Sequence, residues 1–251
     1  MKRTIALILS YDGTNYHGWQ TQSNSESIQS TLTRAASYVF NEDVRVTGCG
    51  RTDTGVHAKM YVASVVTSSA LPCSRIPVAI NTNLPSDISV SRAIEVSKDF
   101  HPVHSCLEKE YTYYIHNDLV KSPFLHNRAL HYKYPIDLER MQEASSYFIG
   151  EHDFSSMRTL GTPVKSTVRT VYKCDVTQSG NIIAITISAN GFLYNMARTI
   201  VGTLLDVAAN KISPDEIPSI LKSGDRTKAG PTAPAHALYM TNVIYPAKFN
   251  L

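Results

Sequence analysis

The stretch GCGRTDTGVHA, residues 48–58, sets one carboxylate, Asp53, two residues after Arg51 and four before His57. A solvated loop has no need of that set. A lone carboxylate can serve as nucleophile or base when a nearby cation keeps it ionised, because burial alone raises a carboxyl pKa. Glycines on both sides let a substrate backbone come close. Two other readings compete. An aspartate beside threonine and glycine commonly bonds its own backbone amides in a turn, which leaves Arg51 and His57 unexplained. Asp-Thr-Gly is also the aspartic-protease signature, but those enzymes need two such carboxylates sharing a proton. The chain has no second DTG or DSG, and YDGT has the wrong order.

The rest of the chain bounds what can surround that carboxylate. Its 251 residues, 43% apolar and 18% charged, can bury a substantial core as one large domain or two small ones, and exclude a disordered chain. The run IALIL is shorter than a signal-peptide core or a membrane span and reads as a strand, so no membrane partner is expected. Cys49, Cys73, Cys106 and Cys174 lack paired spacing, which argues against a disulfide framework or zinc knuckle and for a reducing cytoplasm. Net charge is +3, with nine basic against eight acidic residues up to position 105 and fifteen against thirteen beyond it. Only local clustering could then mark a polyanionic partner.

Elements that could position Asp53 follow from pattern. Residues 4–11 read as a strand stopped by Asp12-Gly13, and a helix follows from Ser25 as N-cap, with Ile28, Leu32, Ala35, Ala36, Val39 and Phe40 at helical spacing. VRVTGC and MYVASVVT read as strands joined through Asp53, RIPVAINTN as a short helix, and ISVSRAIEV as a strand. The second half repeats this β-α-β-β-α-β order with additions. YTYYIH and ALHYKY read as strands, and LERMQEASSYFIG as a helix. A hairpin turning at Ser179-Gly180 follows. Next come a long helix with an apolar stripe from Leu193 to Ala208, a shorter helix, and the strand LYMTNVIY. The fold expected is α+β: two ferredoxin-like halves, 1–105 and 106–251, joined into a continuous antiparallel sheet with helices on one face and a central cleft. The boundary falls in KDFHPVHSCLEKE, residues 98–110.

Five stretches carry a family resemblance: YDGTNYHGWQTQ at the start, GRTDTGVHA around Asp53, KEYTYYI from Lys109, NGFLYNMARTIVG from Asn190 and GPTAPAHALYM from Gly230. In this order, nearly end to end, they resemble the tRNA pseudouridine synthases of the A type. The resemblance implies an isomerase that detaches uracil from its ribose, turns it over and rejoins it through C5, without cofactor or metal. It implies that Asp53 is catalytic, as nucleophile or base. It also implies that Arg198, from NMxR, pairs with Asp53, and that Tyr111 stacks on the target base. Leu238 would pack beneath that base, and Arg51 would engage RNA where the nucleotide leaves its stack. The partner implied is tRNA, at about positions 38 to 40 of its anticodon stem-loop, bound by a homodimer with one tRNA spanning both subunits.

Each role has a plainer alternative. Arg198 could be a solvated helix charge and Leu238 a core residue, while Tyr113 and Tyr114 read as ordinary strand aromatics. Arg158, Lys165, Arg169 and Lys173 could track phosphates or merely line an exposed strand. Thr54 and Ala237 stand where the family commonly has alanine and glycine, and Val103 where it usually has arginine. His101 and His104 could replace that arginine in part, more so when protonated at lower pH. The string His101-x-x-His104-x-Cys106 lacks a further paired ligand, so no metal is expected. A protein that shapes tRNA without catalysis is the competing function; intact Asp53, Tyr111 and Arg198 argue against it.

Overall fold

The computed structural model describes residues 2–161 and 163–251. In chain order the elements are β1 (Arg3–Tyr11), α1 (Ile28–Phe40), β2 (Val46–Gly48), β3 (His57–Thr67), α2 (Ile76–Asn81) and β4 (Ile88–Val96). There follow β5 (Glu108–His116), β6 (Leu130–His131), α3 (Leu138–Ser146), β7 (Gly150–Asp153), β8 (Val168–Ser179), β9 (Ile182–Ala189), α4 (Met196–Ala208), α5 (Ile217–Ser223) and β10 (Leu238–Ile244). The chain forms two compact units, Met1–Leu107 with Tyr239–Leu251, and Glu108–Leu238. The sequence ended its first half near residue 105 and gave the last strand to the second. By packing, that strand goes with the first from Tyr239 onward.

In the first unit β1 is central, antiparallel to β4 on one side and β3 on the other. Both of its faces are buried, which is why IALIL is a continuous apolar run rather than an alternating one. The other edge of β3 is shared. β2 pairs antiparallel with Ala63–Val65, and β10 pairs parallel through Tyr239↔His57 and Met240↔Ala58. Helix α1 begins two residues later than expected. Ser27, not Ser25, is the N-cap, because Ser27 Oγ accepts from the Ser30 amide while Ser30 Oγ accepts from the Ser27 amide.

In the second unit β5 pairs with β9, β9 with β8 and β8 with β7, all antiparallel, while the two-residue β6 runs parallel to β5. The sheets expected to be antiparallel are therefore mixed. A parallel neighbour needs a long crossover, and both β6 and β10 arrive after one. Helix α3 ends at Ser146, short of the expected Gly150. Ser145 and Ser146 turn their hydroxyls back onto the Gln142 and Glu143 carbonyls there, a bond that competes with helix continuation. Phe148 is nevertheless fully buried beyond the helix end. Helix α4 is buried on more than its apolar stripe. Thr199, Gly202 and Thr203 are covered as well, whereas Leu205 of the expected stripe is only half-buried.

Candidate active site

Asp53 sits, half-buried, in the connection between β2 and β3, with Arg51 exposed beside it. The connection is laced to residues 16–19. The Trp19 amide donates to the Thr52 carbonyl at 3.1 Å and the Gly55 amide to the Tyr16 carbonyl at 3.4 Å, while the Val56 amide closes a turn on the Asp53 carbonyl at 3.1 Å. Gly18 makes the approach possible. Its φ is +77°, and a Cβ there would lie 2.3 Å from the Thr52 carbonyl oxygen. Beneath, Thr52 Oγ1 shares a 2.9 Å hydrogen bond with the Tyr11 hydroxyl, and Trp19 stacks on Tyr61 at 4.2 Å. Burial pushes the Tyr11 phenol far up, so it stays neutral and supports the loop as a hydrogen-bonding, uncharged group. The first two sequence motifs are thus one structure.

His57 is buried at the start of β3, stacked on Tyr239 at 4.6 Å. Two groups meet its Nδ1: the Gly13 amide at 3.0 Å and Asp12 Oδ1 at 2.9 Å. One ring nitrogen cannot accept from the first and donate to the second at once. The backbone fixes the direction of the Gly13 N–H, so we assign the Nδ1 lone pair to it. Asp12 Oδ1 is already held by the Thr14 amide and hydroxyl.

In the second unit, strand alternation puts Tyr111 and Tyr113 on one face of β5. Tyr111 is 8% exposed and meets Phe192 edge-on at 4.8 Å. Tyr113 is fully buried, and its hydroxyl has no hydrogen-bond partner among the described residues. Burial raises its pKa, and the Arg198 guanidinium partly opposes the rise. Tyr113, read as an ordinary strand aromatic, thus has a phenol that senses Arg198. Arg198, half-buried in the first turn of α4, donates from Nε to the Ala233 carbonyl at 2.7 Å and from Nη1 to Asn195 Oδ1 at 2.9 Å. Asn195 carried no signal in the sequence beyond its place in the motif. Leu238 is buried where β10 begins.

The expected RNA contacts vary in their surroundings. Lys165 is exposed. Arg169 is half-buried, bonds the Ser166 and Val168 carbonyls, and has its pKa lowered by burial. Lys173 lies 3.7 Å from both Glu110 and Asp175. Thr162, within the same basic stretch, lies outside the described residues. His101 and His104 lie 4.3 Å apart by ring centroid. His101 Nδ1 accepts from the Val103 and His104 amides, and burial, then His104, lowers its pKa. That geometry favours the neutral ring, against the protonated contact expected at lower pH. Among the described residues no group of three or more His, Cys, Asp or Glu could hold a metal ion, and no helix is long and apolar enough to cross a membrane.

A family model described as tRNA pseudouridine synthase matches residues 7–104 and 144–246, and the chain belongs to that family. The matched stretches include Asp53 and Arg198; Tyr111 lies between them. The chain is 46% identical over 243 residues to tRNA pseudouridine synthase A of Thermoanaerobacter sp. (strain X514), covering 97% of this chain and 100% of that protein. The same figures hold for tRNA pseudouridine synthase A of Caldicellulosiruptor bescii. With tRNA pseudouridine synthase A 2 of Clostridium tetani the identity is 41% over 247 residues, 98% of this chain and 100% of that one.

Proposed function

We propose that this protein is an isomerase that converts uridine to pseudouridine in the anticodon stem-loop of tRNA, with Asp53 as the catalytic carboxylate. The observation that carries the reading is the end-to-end match to the family, in which the Asp53 motif sits on a loop locked by residues 16–19. In this reaction the bond from ribose C1′ to uracil N1 breaks and one from C1′ to C5 forms. The C5 hydrogen leaves as a proton and N1 gains one, so no redox partner is needed. Asp53 acts by attack on the base or sugar, or by taking a ribose proton.

Arg198 serves as the catalytic cation, and Tyr111 stacks on the target base and moves a proton. Leu238 packs beneath that base. Arg51, exposed beside Asp53, fills the gap left by the flipped nucleotide, which offsets a few kcal/mol of unstacking. Lys165, Arg169, His101 and His104 contact the RNA more widely. We further propose two ferredoxin-like halves, supported in the first unit by the order β4-β1-β3-β2, together with a cytoplasmic location and a homodimer. The test is release of tritium to water from tRNA labelled at uridine C5, with modified positions mapped. Release from the anticodon stem-loop is expected; tight tRNA binding without release would mean a protein that shapes tRNA without catalysis.

A further inference from the structure

Asn195 stands at the N-cap of α4, where an asparagine normally adopts extended backbone and its side-chain oxygen accepts an amide of the first turn. Here it does neither. Its φ is +63°, and its side chain makes no capping bond. Instead Oδ1 accepts from Nη1 of Arg198, the third residue of the same helix, at 2.9 Å. The other end of the amide is fixed too, since Nδ2 donates to Thr159 Oγ1 at 2.9 Å and the Thr159 amide donates to the Tyr194 carbonyl at 3.1 Å. The guanidinium only donates, so the amide oxygen must face it, which leaves Nδ2 for the hydroxyl, a group able to accept. Arg198 Nε is held by the Ala233 carbonyl at 2.7 Å, and the Ala233 amide returns a bond to the Arg198 carbonyl at 3.1 Å. Two of the three guanidinium nitrogens are thereby pinned on neighbouring groups.

From this diverted cap we infer that Asn195, braced by Thr159, is a positioning residue for Arg198: it sets the direction of the guanidinium before tRNA arrives. The inference rests on the reading of Arg198 given above. A long, rotamer-rich arginine acts on a reacting group only if its orientation is fixed in advance, and small misplacement lowers rate more than binding. The left-handed backbone serves the same end, since it turns the side chain of residue 195 toward the third residue of the helix instead of its amides.

The test is steady-state tritium release from tRNA labelled at uridine C5, with thermal melting in parallel. Asn195→Gly suits the left-handed backbone; it should lower kcat about tenfold, leave KM within about twofold, and leave the melting temperature unchanged or higher. Thr159→Val should lower kcat in the same way, and Thr159→Ser, which keeps the hydroxyl, should restore it. Arg198→Met, run alongside, separates the two claims. If it turns over at the wild-type rate, the role of Arg198 fails and that of Asn195 with it. If it is inactive while Asn195→Gly keeps wild-type kcat, or raises KM alone, only the inference about Asn195 is overturned.

Discussion

Gly202 of α4 lies against Pro231 so closely that a Cβ on the glycine would sit 1.6 Å from the proline carbonyl oxygen. The contact is backbone to backbone. Beside it, Thr203 Oγ1 accepts from the Gly230 amide at 3.0 Å and donates to the Thr199 carbonyl at 2.8 Å. The ends of two sequence motifs, RTIVG and GPTAP, are thus pressed together, and the loop so placed supplies the Ala233 carbonyl to Arg198. Gly202→Ala should separate helix and loop, destabilising the protein by about 3 kcal/mol, at the upper end of overpacking costs. Urea unfolding would show it as a lower midpoint. A wild-type midpoint would mean that the loop yields freely.

Tyr113 gives the opposite expectation. A buried hydroxyl without a partner carries a desolvation penalty of about 1–3 kcal/mol, and phenylalanine fills the same space without it. Tyr113→Phe should raise stability by about 1 kcal/mol, read from the urea midpoint. A loss of similar size would show that the hydroxyl finds a partner in solution.

The loop at His101 predicts a pH dependence. The folded pKa is depressed below the ordinary value of about 6.5, so the unfolded chain binds this proton more readily. Its contribution to stability is full above about pH 6.5 and is lost as pH falls through the folded value. His101→Asn, whose oxygen can still accept the backbone amides, should lose less stability than wild type between about pH 7.5 and 5.5, before carboxylates titrate. Equal losses in urea unfolding at the two pH values would remove His101 as the cause.

Periodicity made much of this legible. The apolar run of β1, the face of α1 and the β8–β9 hairpin at Gly180 all lie where the pattern put them. The start of α1 was not, because Ser25 and Ser27 are the same residue type two positions apart, and only the folded chain shows that Ser27 exchanges hydrogen bonds with Ser30. Which edge β10 joins was hidden for another reason: Tyr239 pairs with His57, and local pattern does not record a partner so distant. Asp53 and Arg198 could be found by motif. Asn195 stands in the same motif as Arg198, but its role could not be read there, since an asparagine before a helix reads as a cap and only the folded chain shows its oxygen serving a side chain.

The central claim, that the Asp53 carboxylate performs the chemistry, is tested most directly by Asp53→Asn in the tritium-release assay together with tRNA binding. The amide keeps size and shape but supplies neither a nucleophilic oxygen anion nor a base. Release should fall to background while tRNA is bound about as tightly as by wild type. Release by the variant at a rate near wild type would contradict it.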